Sequence, residues 1–213
     1  TANADFVSHM EDVLRVYHLP YDRNSPVVCM DEASKQWLGE VTAPLPLGVG
    51  RVTCEEDDYE RKGVCNQFMC GEPLRGWRHV RVTARRTRRD WAECIRELVD
   101  VYYPQTTRIR LVLDNLNTHT GASLYEAFAP EEARRLLDRL ELHHTPKHGS
   151  WLNMAEIEIG VLQQQCLDRR LDDVEWLRRE IGAWEERRNK HQVKIHWGFT
   201  IAVARQKLKK LYP

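Results

Sequence analysis

Two short apolar segments of the sequence each run directly into an aspartate. Val27–Asp31 reads VVCMD, and Ile109–Asp114 reads IRLVLD. Both segments are typical of buried strands in a central sheet, which packing on both faces holds in place. A carboxylate at the carboxyl end of such a strand has little freedom, and the ligands of open α/β sheets gather at that edge. With Glu156 near the start of a later helical stretch, the pattern predicts a site for a hard divalent cation.

A helix is predicted between these two strands, which favours a parallel arrangement. Apolar residues recur over 89–103 with a period of 3.6 residues, so a helix crosses over before the second strand. Ahead of it, 63–70 and 77–83 read as two antiparallel strands that follow the first. Further elements are predicted as helices over 6–17, 121–128, 130–140, 152–167, 172–189 and 201–211, and as a strand over 140–144. This order predicts an α/β protein with a ribonuclease H-like mixed five-stranded sheet flanked by helices, although other α/β architectures share the order.

The choice of the third carboxylate depends on helix geometry. On a helix that begins near Leu152, Glu156 shares a face with Leu152, whereas Glu158 points in another direction. Glu156 is therefore the preferred third ligand, with Glu158 and Glu32 in reserve. Because a single aspartate after a strand is often only a turn former or a helix cap, the metal prediction depends on the three acids as a set.

Several neighbours of these acids have two interpretations each. Asn115 and His119 follow the second aspartate closely enough to reach the site, or they could be a turn residue and a helix cap. Asn153 could cap or order the turn that carries Glu156. Trp151 could be a surface for an unstacked base, but a position in the core is the preferred interpretation.

Cysteine and histidine spacings argue against zinc. The six cysteines contain no C-x-x-C pair, and Cys29 lies in an apolar strand, where a small buried thiol is ordinary. The histidines at 143, 144 and 148 lack the single helical face of an H-E-x-x-H motif. We therefore expect reduced cysteines and solvated or phosphate-facing histidines.

The charges are balanced overall but clustered along the chain. There are 32 basic and 32 acidic residues, with an acidic run over 55–58 and a basic run over 81–89. Zero net charge therefore does not exclude a polyanionic partner. Candidate phosphate contacts are Arg85, Arg86, Arg88, Arg89, Lys147, His148, Arg187, Arg188, Lys190 and Lys194. No apolar run approaches about 18 residues, so we expect no membrane span and a cytoplasmic location.

Three blocks of the sequence resemble the catalytic blocks of DDE transposases, specifically the bacterial insertion-sequence relatives of the mariner elements. The first is VCMDE at 28–32, the second is LDN at 113–115 followed by His119, and the third is PKHGSWLNMAE at 146–156. The stretch from Trp197 to Pro213 is also similar to the way those proteins end. The resemblance runs nearly from end to end.

This resemblance implies a catalytic domain over 27–213 in which Asp31, Asp114 and Glu156 bind Mg²⁺ or Mn²⁺, in a pair of ions. It implies hydrolysis of double-stranded DNA at element ends, joining of the freed 3′-hydroxyl to target DNA, a homodimer in the active complex, and association with the nucleoid. Family members carry a helix-turn-helix module before this domain. Residues 1–26 are therefore expected to be an arm or linker from an N-terminal DNA-binding module that this sequence lacks.

Two rival functions fit the same residues. A nuclease of the same fold would cut a hybrid or a branched junction without joining strands. A decayed or co-opted transposase would bind DNA or another protein without cutting. Product analysis separates the first rival from a transposase, and metal-dependent cleavage separates the second.

Overall fold

A five-stranded mixed sheet forms the centre of the computed structural model, which describes residues 3–40, 59–116, 118–168 and 173–213. The strands are β1 (Val27–Glu40), β2 (Tyr59–Glu72), β3 (Trp77–Thr83), β4 (Ile109–Leu113) and β5 (Leu140–His144). Their spatial order is β3–β2–β1–β4–β5. β2 pairs antiparallel to β1 and β3, whereas β4 pairs parallel to β1 and β5. The predicted mixed sheet is confirmed.

Helices cover both faces of the sheet. The described α-helices are α1 (Ala4–Tyr17), α2 (Arg88–Glu97), α3 (Gly121–Ala127), α4 (Pro130–Asp138), α5 (Met154–Leu162), α6 (Val174–Lys190) and α7 (Ile201–Lys207). Segments of π-helix continue α2 over Leu98–Tyr102 and α5 over Gln163–Leu167. The helices predicted from apolar periodicity are confirmed, with small differences at their ends. None of the described helices has the length and apolar character needed to cross a lipid bilayer.

Successive side chains of β1 face two different hydrophobic cores. Cys29 lies in a core that α1, α5, α6 and α7 help to form. Val28 and Met30 lie in a second core, built with α2, α3 and α4. Because strand side chains alternate between faces, Asp31 is directed to the α5 side of the sheet and Glu32 to the α2 side.

The first helix packs against the domain and braces the segment that precedes α5. Met10 and Leu14 of α1 are fully buried in the core. At its end, Tyr17 donates its hydroxyl hydrogen to the carbonyl oxygen of Leu152 at 2.7 Å and accepts from the backbone N–H of Met154 at 3.3 Å. The segment predicted as part of an arm is therefore helical and packed on the same face of the sheet as α5.

The first strand is longer than its apolar segment. Asp31 was expected to end a strand, and this is wrong, because β1 continues to Glu40. Beyond Asp31 the strand is polar, but its backbone pairs with β2, and Asp31 itself lies opposite Met69. The stretch over 42–48, whose proline and glycine content is typical of a linker, and the acidic run over 55–58 lie outside the described residues.

Candidate active site

Asp31 and Asp114 emerge at the same level of the sheet. The parallel pairing of β1 with β4 ends with Cys29 opposite Val112, and each aspartate comes two residues later. Asp31 therefore lies within β1 but just past its parallel partner, while Asp114 directly follows β4. This arrangement brings the two acids together at the carboxyl edge of the parallel strands, as their sequence positions predicted.

The carboxylate of Asp31 is buried and held by two donors. It is 7% exposed and accepts from the backbone N–H of Glu32 at 2.8 Å and from the Asn153 side-chain amide at 3.3 Å. Burial raises the pKa of Asp31 to about 7, with the Glu32 N–H opposing this shift and the charges of Asp114 and Glu156 adding to it. Asp114 and Glu156 therefore both lie close enough to Asp31 to act on its carboxylate electrostatically.

Asn153 connects Asp31 to the helix that carries Glu156. Its side-chain amide also donates to the carbonyl oxygen of Met30 at 2.8 Å. Its side-chain oxygen accepts from the N–H of Ala155 at 3.1 Å and so caps α5. The expectation that Asn153 caps and orders this turn is confirmed, and one buried side chain ties the first strand to the third acidic residue.

His119 connects Asp114 to Glu32. Its Nδ1 contacts the carboxylate of Asp114, its Nε2 lies 3.7 Å from a carboxylate oxygen of Glu32, and its ring stacks on Trp91 with centroids 5.7 Å apart. Burial alone would lower the pKa of His119, but the contacts with Asp114 and Glu32 outweigh it and raise the pKa to about 9. The His119 side chain is therefore an imidazolium at neutral pH, and it lies between Asp114 and Glu32. Thr120, rather than His119, is the N-cap of the following helix.

Glu156 and Glu158 lie in opposite environments. Glu156 is exposed in the first turn of α5. Glu158 is buried and pairs with Arg78 at 2.9 Å and with Arg188 at 3.1 Å. Glu158 is therefore committed to an internal ion pair. Among the two glutamates, only Glu156 is available to a cation at the site.

The acids do not form a closed cage in this structure. Among the described residues, no set of three or more His, Cys, Asp or Glu side chains lies close enough together to hold a metal ion. The donor chemistry nevertheless suits a hard cation, because two aspartates and a glutamate offer only oxygen ligands. Burial raises the pKa of Asp31 most, and repulsion by the charges of Asp114 and Glu156 adds to that shift. A divalent cation would relieve that repulsion.

Two of the three histidines at and after the end of β5, His143 and His144, contact other groups of the protein. His143 contacts Asp12 at 2.6 Å and Glu141 at 3.1 Å. His144 contacts the carbonyl oxygen of His119 at 3.0 Å. His148 is exposed with a positive φ of 63°. The expectation of solvated or phosphate-facing roles is therefore wrong for His143, which is buried.

The candidate phosphate contacts divide into exposed and internally paired residues. Arg86 lies 3.6 Å from Glu32 and is mostly exposed, so it connects the site to the surface. Arg88 contacts Glu126, and Arg188 contacts Glu158. The remaining candidate phosphate contacts lie exposed on the surface: Arg85, Arg89, Lys147, His148, Arg187, Lys190 and Lys194. Asn115, a predicted neighbour of the acids, is also exposed.

Trp151 and Tyr17 were the least predictable residues near the site. The core position preferred for Trp151 is wrong, because its side chain is 46% exposed on a 3-10 turn. Tyr17 was recognised only as an apolar member of α1, although its hydroxyl braces the turn below Trp151. The position of Tyr17 in the last turn of an amphipathic helix was the one feature of the sequence that indicated a role for this residue.

Comparison with protein families gives a match over most of the chain. A model described as DDE superfamily endonuclease matches residues 26–178, a range that contains Asp31, Asp114 and Glu156. A comparison with curated proteins gave no match.

Comparison with solved structures gives the fold. The catalytic domain of Mos1 mariner transposase is similar with a TM-score of 0.55 and 10% identity, covering 91% of this chain and 94% of that one. The Mos1 strand transfer complex gives 0.59 and 12%, covering 89% and 57%. The Mos1 mariner paired end complex with Mn gives 0.57 and 12%, covering 91% and 60%. The chain thus spans about 60% of the Mos1 chains in such complexes, and the predicted ribonuclease H-like fold is confirmed.

Proposed function

The chain belongs to the DDE superfamily of endonucleases, and on this basis we propose that it is the catalytic domain of a DNA transposase. We assign it to the bacterial insertion-sequence branch related to the mariner elements. It hydrolyses phosphodiester bonds at element ends and transfers the freed 3′-end into target DNA. Residues 27–213 form the catalytic domain, and residues 1–26 connect it to a DNA-binding module.

The observation that carries this proposal is the electrostatic convergence of three acids. Asp31 is buried, its pKa is raised to about 7, and the charges of both Asp114 and Glu156 contribute to that shift. An acid cluster that repels itself is costly unless a cation joins it. The convergence of these particular acids supports their assignment as the catalytic and metal-binding residues.

Mg²⁺ or Mn²⁺, in a pair of ions, fits the oxygen-only donor set of Asp31, Asp114 and Glu156. Such cations, when bound, supply charge stabilisation for the attacking and leaving oxygens of a phosphodiester. The Mos1 mariner paired end complex, in a protein of similar fold, has been solved with Mn and with Mg. The proposal extends that use of divalent metal to this chain.

The other residues of the site hold the acids in place. Asn153 and the N–H of Glu32 occupy both oxygens of Asp31, which fixes the plane of its carboxylate. His119 contacts one oxygen of Asp114. Glu156 is exposed and free to close on a ligand. Hydrogen bonds thus hold the carboxylates of Asp31 and Asp114, whereas the exposed Glu156 side chain can change its rotamer.

Double-stranded DNA is the proposed partner, and a homodimer is the proposed active form. One of the similar solved structures is a Mos1 transposase paired-end complex with the left transposon end. The proposed phosphate contacts are the exposed members of the basic set: Arg85, Arg86, Arg89, Lys147, His148, Arg187, Lys190 and Lys194. Such contacts position a backbone without reading sequence. We propose a cytoplasmic, nucleoid-associated protein.

The test is divalent-dependent nicking of supercoiled plasmid. Wild type is compared with Asp31→Asn, Asp114→Asn and Glu156→Gln, and Glu175→Gln on the exposed start of α6 serves as a matched control. We expect nicking with Mg²⁺ or Mn²⁺ that each site variant abolishes and the control retains. Nicking that survives all three site variants would refute the site assignment.

Joining is tested with a labelled duplex that carries a free 3′-hydroxyl. Transfer of label into plasmid supports the transposase. Nicking without transfer supports a ribonuclease H-like nuclease instead. Plasmid binding without any metal-dependent nicking supports a silent DNA-binding relic. Sedimentation of the protein with and without DNA tests the dimer.

A further inference from the structure

A cleft of about 300 Å³ lies at the edge of the sheet away from the acids. Its lining includes Glu72 at the end of β2, and Asn24 and Thr106 from the segments that precede β1 and β4. On β2, Met69 lies opposite Asp31, so Glu72 is three residues further along, about 10 Å from that level. Met69 belongs to the core on the α5 side, and because strand side chains alternate, Glu72 faces the α2 side. The cleft is therefore separate from the candidate active site.

The carboxylate of Glu72 is buried in the wall of this cleft, and its side chain is only 2% exposed. Its Oε2 accepts a hydrogen bond from the hydroxyl of Tyr103 at 2.7 Å, and Arg75 contacts the same oxygen loosely at 3.5 Å. Its Oε1 is buried and has no hydrogen-bond partner among the residues that the structure describes. A buried charged acceptor without a donor is costly. Oε1 therefore marks the point of the cleft where the N–H group of a ligand would stabilise the protein most.

Two arginines and a tyrosine lie at the mouth of the cleft. Arg23 and Arg75 line the cleft and are exposed, and Tyr21 is 53% exposed. Burial raises the pKa of Tyr21, the charge of Glu72 raises it further, and the charges of Arg75 and Arg23 oppose this rise. The carboxylate and both guanidinium groups therefore lie close to one phenol. Because guanidinium groups bind carboxylates and phosphates through paired hydrogen bonds, the mouth of the cleft favours an anion.

Contacts between its walls hold the cleft in shape. The carbonyl oxygen of Asn24 accepts from the backbone N–H of Thr107 at 2.9 Å and from that of Arg108 at 3.2 Å. The ring of Tyr103 packs edge-on against Trp77, with centroids 5.4 Å apart and an interplanar angle of 84°. A preformed cleft loses little entropy when a ligand enters it. The structure therefore offers a built site rather than a fold in the surface.

We propose that this cleft binds a small anionic ligand that carries a nitrogen–hydrogen donor at its other end. The donor bonds to Oε1 of Glu72, and the anionic group contacts Arg23 and Arg75. Arg75 is exposed and only loosely paired, so it turns from Glu72 to the anion as the donor arrives. Purine nucleotides with an amino group and amino acids with a side-chain guanidinium share this chemistry. A volume of about 300 Å³ is at the lower end of the range for small-molecule sites.

The test is calorimetry in EDTA with two probes, guanosine monophosphate and L-arginine. Guanosine and ribose 5-phosphate each lack one of the two groups of the nucleotide, and agmatine and L-norvaline each lack one of those of L-arginine. The variants are Glu72→Gln, Arg23→Ala and Arg75→Ala, and Arg134→Ala removes an exposed arginine of α4 as the matched control. Thermal unfolding confirms that each variant is folded. The two arginine variants change exposed positions, so they decide the test even if Glu72→Gln does not fold.

We expect wild type to bind at least one complete probe, and the probe that binds identifies nucleotides or amino acids as the source of the ligand. Loss of either group from that probe should weaken binding about 10- to 150-fold. Glu72→Gln should weaken the complete probe and leave the analogue without the donor unchanged. Arg23→Ala and Arg75→Ala should weaken the complete probe and leave the analogue without the anion unchanged. Arg134→Ala should behave as wild type.

Three results would overturn the inference. The first is that neither complete probe binds at millimolar concentration. The second is binding that survives the Glu72 variant and both arginine variants. The third is equal weakening by Arg134→Ala, which would indicate general attraction of an anion to the basic surface. The measurement uses neither a divalent cation nor DNA, so its outcome is independent of the proposed function.

Discussion

Replacing Glu158 by glutamine should destabilise the protein strongly, although the residue lies only two positions from Glu156. Glu158 is the anion between two arginines, with side-chain exposures of 4% for Glu158, 2% for Arg78 and 13% for Arg188. Burial lowers the pKa of Arg78 from its ordinary value even with Glu158 in contact. Without that carboxylate, two buried guanidinium groups would face each other unpaired.

The expected loss is about 3–5 kcal/mol in the free energy of unfolding, which is typical when one partner of a buried ion pair is removed. For a chain of this length that corresponds to roughly 6–20 °C in the unfolding midpoint. Arg78 keeps bonds to the carbonyl oxygens of Gly76 and Val193, so the residue remains in place but is under-neutralised.

Urea unfolding followed by circular dichroism measures this loss. The control is Glu175→Gln, which removes an exposed partner of Arg178 and should cost at most about 1 kcal/mol. Glu156→Gln, on the exposed side of the same helix, should change stability by less than about 0.5 kcal/mol. A stable Glu158→Gln variant that has lost Mn²⁺ binding would refute this reasoning and transfer the third ligand from Glu156 to Glu158.

Three further predictions concern the residues around the aspartates. His119→Gln removes the imidazolium contact with Asp114 and should weaken Mn²⁺ binding about 10- to 100-fold in calorimetry, as loss of an outer-shell partner typically does; unchanged affinity would contradict the positioning role. Asn153→Ala should cost about 1–2 kcal/mol in urea unfolding through the lost helix cap, and a loss below about 0.5 kcal/mol would argue against it. In EDTA, the folded pKa of Asp31, about 7, exceeds its unfolded value of about 3.9, so this group stabilises the protein below pH 4 and loses that contribution as pH rises to 7. Asp31→Asn should therefore gain stability relative to wild type between pH 5 and pH 8, and a constant difference across that range would refute the shift.

Much of the fold followed from periodicity and from the position of the strand ends. The predicted crossover helix implied that Asp114 follows a parallel strand. Helical spacing predicted that Glu156 and Glu158 point in different directions. The length of β1 could not be predicted from the sequence, because most residues after Asp31 are polar. Their strand conformation depends on pairing with β2, a contact distant in sequence. Local pattern could not supply that information.

The arrangement around the aspartates was predictable only in part. Asn115, His119 and Asn153 were recognised as neighbours by proximity in sequence. The link from His119 to Glu32 joins the segment after β4 to a residue within β1, and no spacing rule encodes it. The exposure of Trp151 also depends on tertiary contacts, since an aromatic residue in an apolar turn is more often buried.

The position of the irregularity in β1 determines where the protein can tolerate a change of length. The pairing of β1 with β2 shifts register between Trp37 and Leu38, well beyond the acids. One residue inserted between Val27 and Asp31 would invert the side to which each following side chain points, so that Asp31 would face the α2 side and Glu32 the α5 side. An insertion in β1 at that register shift, where β2 carries the extra residue, would leave the acids untouched. Homologous chains should therefore vary in length in the distal half of this strand and keep a fixed count of residues in the proximal half.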